Sequence, residues 1–234
     1  MTEADVLTLL HENRDERGIK HWQTLNAGRT NMTSYGLGLT QLRQLAKQIG
    51  RNRALAQTLW QSQVYDARVI ALLIDDPKKI SREQAETQVE QLAGGMLAHV
   101  FASCDATLAK TPFMVELAED WVQSEDAVRR ECGYGLLYKA SKLPDKKAPA
   151  EAFFLAQVQR IADNIDNEPE KVRLAMAAAL MGIGKRSADL NAAALAVAQA
   201  TGPIAFSSAS GNCEPFDVAK HLTTERLREK LGIK

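Results

Sequence analysis

Apolar positions recur along this chain at intervals of three and four residues almost from end to end. That is the period of a helix with one buried face. Over Gln41–Ile49 the stripe is Leu42, Leu45, Ala46 and Ile49, with Arg43 and Lys47 four apart on the opposite face. The same reading predicts helices over Ala4–Arg14, around Trp22 and Leu25, from Asn52 to Trp60 and over Tyr65–Ile74, the last stopped by Asp75-Asp76-Pro77. Ser81 and Gln84 have capping-box spacing at the start of a helix to Leu92, and Gly94-Gly95 breaks the chain before a helix over Met96–Ala109. Pro112 leads a helix containing Trp121, and Ser124 caps a longer one through Lys139. Helices over Glu151–Asn164, Ala188–Ala200 and Thr224–Leu231 complete the set, while Ala27–Thr40 and Lys142–Pro149 read as loops.

One stretch differs in texture. Lys171–Arg186 is built mostly of small and unbranched residues, which favour helix and let a neighbouring helix approach closely. Asn167 can cap it, Pro169 suits its first turn, and Gly184 ends it before the cations Lys185 and Arg186. An inner helix delivering two cations to an edge is the expectation.

Helices of ten to sixteen residues on short loops, with no β alternation, predict an all-α fold, either a HEAT-like helical-repeat solenoid or an irregular bundle. The repeats share no sharp identity, so such a solenoid is degenerate. No linker divides the 234 residues, and one domain over 1–234 is expected. Residues 202–217, rich in Ser, Gly and Asn, form an irregular C-terminal extension whose expected job is to cap the end of the helical array. Cys213 and Asp217 within it are a second candidate pair.

Composition narrows the setting. No apolar run approaches the ~20 residues of a membrane span, and Glu3 and Asp5 sit where a secretory signal would be basic and apolar. Cys104, Cys132 and Cys213 are odd in number and widely spaced, which fits a reduced, cytoplasmic setting. No His/Cys spacing matches a metal site, and no catalytic motif or cofactor-binding loop is present. Gly182-Ile-Gly-Lys-Arg186 lacks the spacing of a phosphate loop and ends a helix instead of following a strand. Neither a metal nor a cofactor is expected.

Net charge is zero, but its distribution is uneven. Between Lys20 and Ile70 the basic residues are Lys20, Arg29, Arg43, Lys47, Arg51, Arg53 and Arg68, against Asp66 as the only acid. Residues 71–180 carry the compensating acidic excess. A basic end on a neutral protein is the footprint of a face that meets phosphate, although a solvated helical surface produces it too.

Several combinations then recur in order: Tyr35-Gly-Leu-Gly-Leu leading to Leu42-Arg43 and Ala46-Lys47; Leu55 to Trp60; Tyr65-Asp-Ala-Arg68 before Asp76-Pro77. Phe101-Ala-Ser-Cys-Asp105, Trp121, Val128-Arg-Arg130, Ala179-Leu180 and Ile183-Gly-Lys-Arg186 follow. Over roughly residues 25–200 this order resembles the bacterial DNA alkylation repair family, which includes HEAT-like alkylpurine DNA glycosylases. The resemblance implies a curved stack of helical pairs whose basic concave face holds duplex DNA, and hydrolysis of the N-glycosidic bond of cationic alkylpurines such as 3-methyladenine and 7-methylguanine.

The resemblance also implies a carboxylate and two tryptophans near the lesion. Asp105 matches the carboxylate and Phe101 the aromatic one turn before it. Ala178 stands where the second tryptophan is expected and Met181 where a cation is. A cationic purine has a weakened glycosidic bond, so a carboxylate stabilising the developing sugar cation and electron-rich rings facing the base are the useful groups. Phe is a poorer such surface than Trp, and Ala is none. Tyr35, Arg43, Lys47, Arg68, Arg129, Arg130, Lys185 and Arg186 are the candidate DNA contacts. Trp60 and Trp121 are expected to fill the core. The residues 202–217 look similar to an extension in one branch of the family, a branch with altered cleft residues. The reading from another class is a catalytically inert scaffold that binds a protein partner or structured DNA.

Overall fold

The computed structural model describes residues 1–104, 106–206 and 214–233, so Asp105 and Cys213 lie outside the described residues. Two compact units result, Met1–Pro112 and Phe113–Lys234.

In the first unit the helices are α1 (Glu3–Glu12), α2 (Glu16–Asn26), α3 (Leu39–Ile49), α4 (Arg53–Trp60), α5 (Tyr65–Ile74), α6 (Arg82–Val89) and α7 (Leu97–Ser103). Helix α5 is the centre, packing on α3, α4, α7 and α1. Its Val69, Ile70, Ala71, Leu72 and Ile74 are all buried, as a helix apolar on every side requires. Asn52 caps α4 as its position predicts, its side chain accepting the Leu55 N–H.

The second unit holds α8 (Met114–Trp121), α9 (Ala127–Ala140), α10 (Glu151–Asn164), α11 (Glu170–Ile183), α12 (Ala188–Thr201), α13 (Val218–Leu222) and α14 (Glu225–Leu231). Helix α9 packs most extensively on α11 and α8, and α10 packs on α12, so alternate helices form two layers. The small-residue stretch is α11, with Val172, Met176, Ala177, Ala179, Leu180, Gly182 and Ile183 buried. At Gly182, α11 lies close against the end of α9. A Cβ there would overlap Ser141 Oγ and lie 2.9 Å from the Tyr138 ring.

Several boundaries differ from the periodic reading, each through a tertiary or capping contact. Helix α7 stops at Ser103 instead of Ala109, because the chain turns so that the Thr107 N–H and hydroxyl both donate to the Leu72 carbonyl. Asp126 caps α9, accepting the Arg129 N–H, while Ser124 receives the Asp126 N–H one step earlier. Asn167 lies in a short 3-10 turn and Pro169 precedes α11. Ser81 accepts the Gln84 N–H, but the Gln84 side chain turns away to Asp75 and Arg53 instead of closing a reciprocal box. Within 202–217 the described residues show Ile204 and Phe216 exchanging both backbone hydrogen bonds, at 3.0 and 2.8 Å.

Candidate nucleic-acid interface

The loop after α2 carries Tyr35, and its shape is set from beneath. Asp66, buried in the first turn of α5, accepts the N–H of Tyr35 at 2.8 Å and of Leu37 at 3.1 Å. A carboxylate has acceptor capacity for both amides, which would otherwise be unsatisfied against the core. Burial pushes the Asp66 carboxyl above its ordinary range against the opposing hydrogen bonds from Ser34, Tyr35 and Leu37. Tyr35 itself is half-buried, its ring edge-on to His11 at 5.8 Å. Gly36 holds a positive φ of 76° and comes so close to Gly18 that a side chain at either would meet the other's backbone. The sole acid of the basic segment thus serves as the loop's anchor.

On α3, Arg43 and Lys47 are exposed one turn apart. They line a depression of about 330 Å³ with Arg51, Lys110, Ala46, Gly50 and Leu73. Arg51 is steadied there by donating Nη1 to the Asp75 carbonyl at 2.6 Å. Asp75, 3% exposed, is itself surrounded by donors from Arg53 (3.0 Å), Gln57 (3.2 Å) and Gln84 (2.8 Å). Asp75 therefore organises both arginines at this corner, Arg53 through its carboxylate and Arg51 through its carbonyl, where Arg43, Lys47, Arg51 and Lys110 gather on one surface.

Other arginines named as DNA contacts have internal partners. Arg68 donates Nε to the Ser62 carbonyl at 2.8 Å and Nη1 to the Gln91 carbonyl at 3.3 Å, with its guanidinium 5.4 Å from the Trp60 ring centroid. Burial lowers its pKa. Arg130 grips Glu168 fork to fork, both bonds at 2.8 Å, and gives Nη1 to the Ser124 and Glu125 carbonyls. Its pKa is raised chiefly by the hydrogen bond to Glu168. Arg186 donates to the Ser141 and Leu143 carbonyls at 2.8 and 2.9 Å and to Asp145 at 2.7 Å, lying over the Phe154 ring at 4.9 Å. Arg129 lies 5.9 Å from the Trp121 ring centroid. Arg68, Arg130 and Arg186 thus use their donors to hold loops against helices. Sequence spacing could not show this, because the accepting carbonyls and carboxylates are 5 to 45 residues away.

Of the residues expected at the lesion, Phe101 is 1% exposed in the core of its unit and presents no free ring face. Ala178 and Met181 are half-buried on α11. Trp60 and Trp121 are buried, as predicted, and the Trp60 indole N–H donates to Gln91. Cys104 and Cys132 are buried, and burial drives the Cys132 thiol well above its ordinary value.

Lys185 lies at a second cationic depression, in the Phe113–Lys234 unit, of about 440 Å³. Lys142 and Lys230 share its lining with Tyr138, Ser141 and Met181. Neither lysine was singled out from the sequence. Lys142 follows α9 and Lys230 lies on the short α14, and nothing in their local pattern links two positions 88 apart except the fold. Among the described residues no group of His, Cys, Asp and Glu could hold a metal ion, and no helix is long and apolar enough to cross a membrane.

These features define an all-α protein of layered helices with cation-lined surface depressions. The chain belongs to the DNA alkylation repair enzyme family, which its sequence matches over residues 6–210. It is 24% identical over 204 residues to the uncharacterized protein Lin0241 of Listeria innocua, covering 83% of this chain and 84% of that protein. Lmo0209 of Listeria monocytogenes, also uncharacterized, is 24% identical over 206 residues, covering 84% and 85%. Among solved structures the fold is similar, with a TM-score of 0.82 and 22% identity, to a member of a new family of proteins related to the HEAT-like repeat DNA glycosylases with affinity for branched DNA structures. That likeness covers 100% of this chain and 97% of the other. The fold is therefore HEAT-like, as the helix pattern and the family resemblance both predict.

Proposed function

We propose that this protein binds DNA through its phosphates, with the depression beside α3 as the contact surface. The carrying observation is that Arg43 and Lys47 are exposed one turn apart and share that depression with two further cations, Arg51 and Lys110. Four cations converging on one surface attract a polyanion and release its counterions on binding. Family membership and the branched-DNA affinity of the structurally similar protein support the same reading.

The test is affinity for a linear duplex and for a four-way junction across a salt series. Neutralising both cations, as Arg43→Gln with Lys47→Gln, is expected to reduce the log–log salt slope by about 2, at ~0.9 per phosphate contact. Absent or salt-independent affinity would transfer the surface to a protein partner.

Excision of cationic alkylpurines is the narrower reading, and it rests on Asp105. With Phe101 in the core and Ala178 in place of a second ring, the cation–π contribution of roughly 0.5–2 kcal/mol per ring has no evident source among these residues. Release of 3-methyladenine or 7-methylguanine from alkylated duplex, lost in Asp105→Ala, would establish hydrolysis. Release no greater than background leaves DNA binding alone.

A further inference from the structure

We infer that the depression beside α9, α11 and α14 is a second phosphodiester site, formed by Lys142, Lys185 and Lys230 with the Tyr138 hydroxyl. This rests on the DNA-binding reading and extends it to a surface built wholly within the Phe113–Lys234 unit.

Three elements bring the cations together. Lys142 follows Ser141, the C-cap of α9, Lys185 follows Gly184, the C-cap of α11, and Lys230 stands in the last turn of α14. The side chains of Lys185 and Lys230 have no hydrogen-bond or ion-pair partner among the described residues, and all three lysines line one depression. The C-terminal ends of α9 and α11 would ordinarily make this corner hostile to an anion, since their last carbonyls carry partial negative charge. Arg186 offsets that field. Its Nη1 takes up the Ser141 and Leu143 carbonyls, and its Nη2 neutralises Asp145, the one acid in the lining. What remains unneutralised is the lysine trio.

The floor is shaped for a backbone segment. Gly182 lets α11 approach α9 until the Tyr138 ring and Ser141 lie against it, so these side chains form the base of the depression. The Tyr138 hydroxyl accepts a hydrogen bond from Lys142 Nζ, which leaves its own proton to donate outward. Arg186 fixes the 141–145 turn and with it the position of Lys142. It acts as a positioning residue, with its guanidinium stacked on Phe154. A water occupies roughly 30 Å³. A space of about 440 Å³ therefore exceeds the needs of one phosphate group and admits a phosphodiester with its sugar.

Two measurements on the full chain decide the matter. Lys142→Gln with Lys230→Gln, both at exposed positions, is expected to keep the wild-type melting temperature, weaken duplex binding at least about tenfold at 0.1 M salt, and cut the salt slope by about 2. Unchanged affinity and slope in this variant, while Arg43→Gln with Lys47→Gln still weakens binding, would overturn the second site and leave the DNA reading standing. Backbone amide NMR shifts are then followed on adding a short duplex, and separately on adding inorganic phosphate. Movement at residues 138–142, 185 and 230 with duplex supports the site. Movement with inorganic phosphate alone overturns it in favour of a small phosphate ligand, and movement with neither overturns it outright.

Discussion

Arg130 and Glu168 meet fork to fork, Nε to Oε1 and Nη2 to Oε2, each at 2.8 Å and with both side chains mostly buried. The pair ties the first turn of α9 to the approach of α11, and the same guanidinium closes the 124–125 carbonyls. Removing one partner strands the other with its charge and donors unmet. Glu168→Ala is expected to lower stability by roughly 2–4 kcal/mol, read by urea denaturation. Arg130→Ala should cost a similar amount with no change in the salt slope of DNA binding. A slope reduced by about 1, with stability intact, would mark Arg130 as a phosphate contact after all.

Lys47 and Arg186 should separate binding from stability. Lys47 is exposed and its side chain makes no hydrogen bond or ion pair among the described residues, so Lys47→Gln is expected to weaken DNA binding with a melting temperature within about 1 °C of wild type. Arg186 satisfies two carbonyls at the end of α9, and Arg186→Gln should lower the melting temperature by several degrees, in keeping with roughly 1–3 kcal/mol. Calorimetry alongside fluorescence anisotropy checks both, and a reversal of the two patterns would sink the assignment.

Asp66 gives the loop a pH signature. Its folded-state pKa is raised, with burial outweighing the hydrogen bonds from Ser34, Tyr35 and Leu37. The folded chain therefore holds this proton more tightly than the unfolded chain. The associated stability is fully present below the unfolded value of about 3.9 and is lost as pH rises through the folded value. Wild-type stability minus that of Asp66→Asn should accordingly fall as pH is raised from below 4. The difference cancels the other carboxylates, and a gap that widens with pH contradicts the assignment.

Gly133 permits the close contact of α9 with α8. A Cβ there would stand 2.6 Å from the Val122 amide nitrogen and 2.9 Å from the Trp121 carbonyl carbon. Both neighbours are backbone and cannot rotate aside. Gly133→Ala is expected to cost about 3 kcal/mol or more, above the usual 1–3 for overpacking. Gly182→Ala meets mainly Ser141 Oγ, so adding Ser141→Ala should recover part of its loss, whereas no side-chain change rescues Gly133→Ala.

Local pattern carried much of the secondary structure. Leu42, Leu45 and Ala46 face inward on α3 as their spacing predicts, and α5 and α10 begin and end where apolar period and breakers place them. The exposure of Arg43 and Lys47 was equally legible, because the opposite face of an amphipathic helix is fixed by the same period. Helix ends resting on distant acceptors were not. Ser103 ends α7 because Thr107 reaches Leu72, and nothing near residue 104 announces that contact.

By itself, then, the sequence determined that this is a helical protein of the DNA alkylation repair family, and that its basic residues concentrate between Lys20 and Ile70. Helical period and motif order are properties of neighbouring residues. Which of the cations outside α3 are left to face outward was decided by the tertiary structure. An arginine and a lysine look alike in sequence, yet Arg68, Arg130 and Arg186 are consumed by carbonyls and carboxylates far along the chain. Lys142, Lys185 and Lys230 come together only because three helix ends converge. Charge is written locally, but whether it is free to meet a ligand depends on what the fold brings beside it.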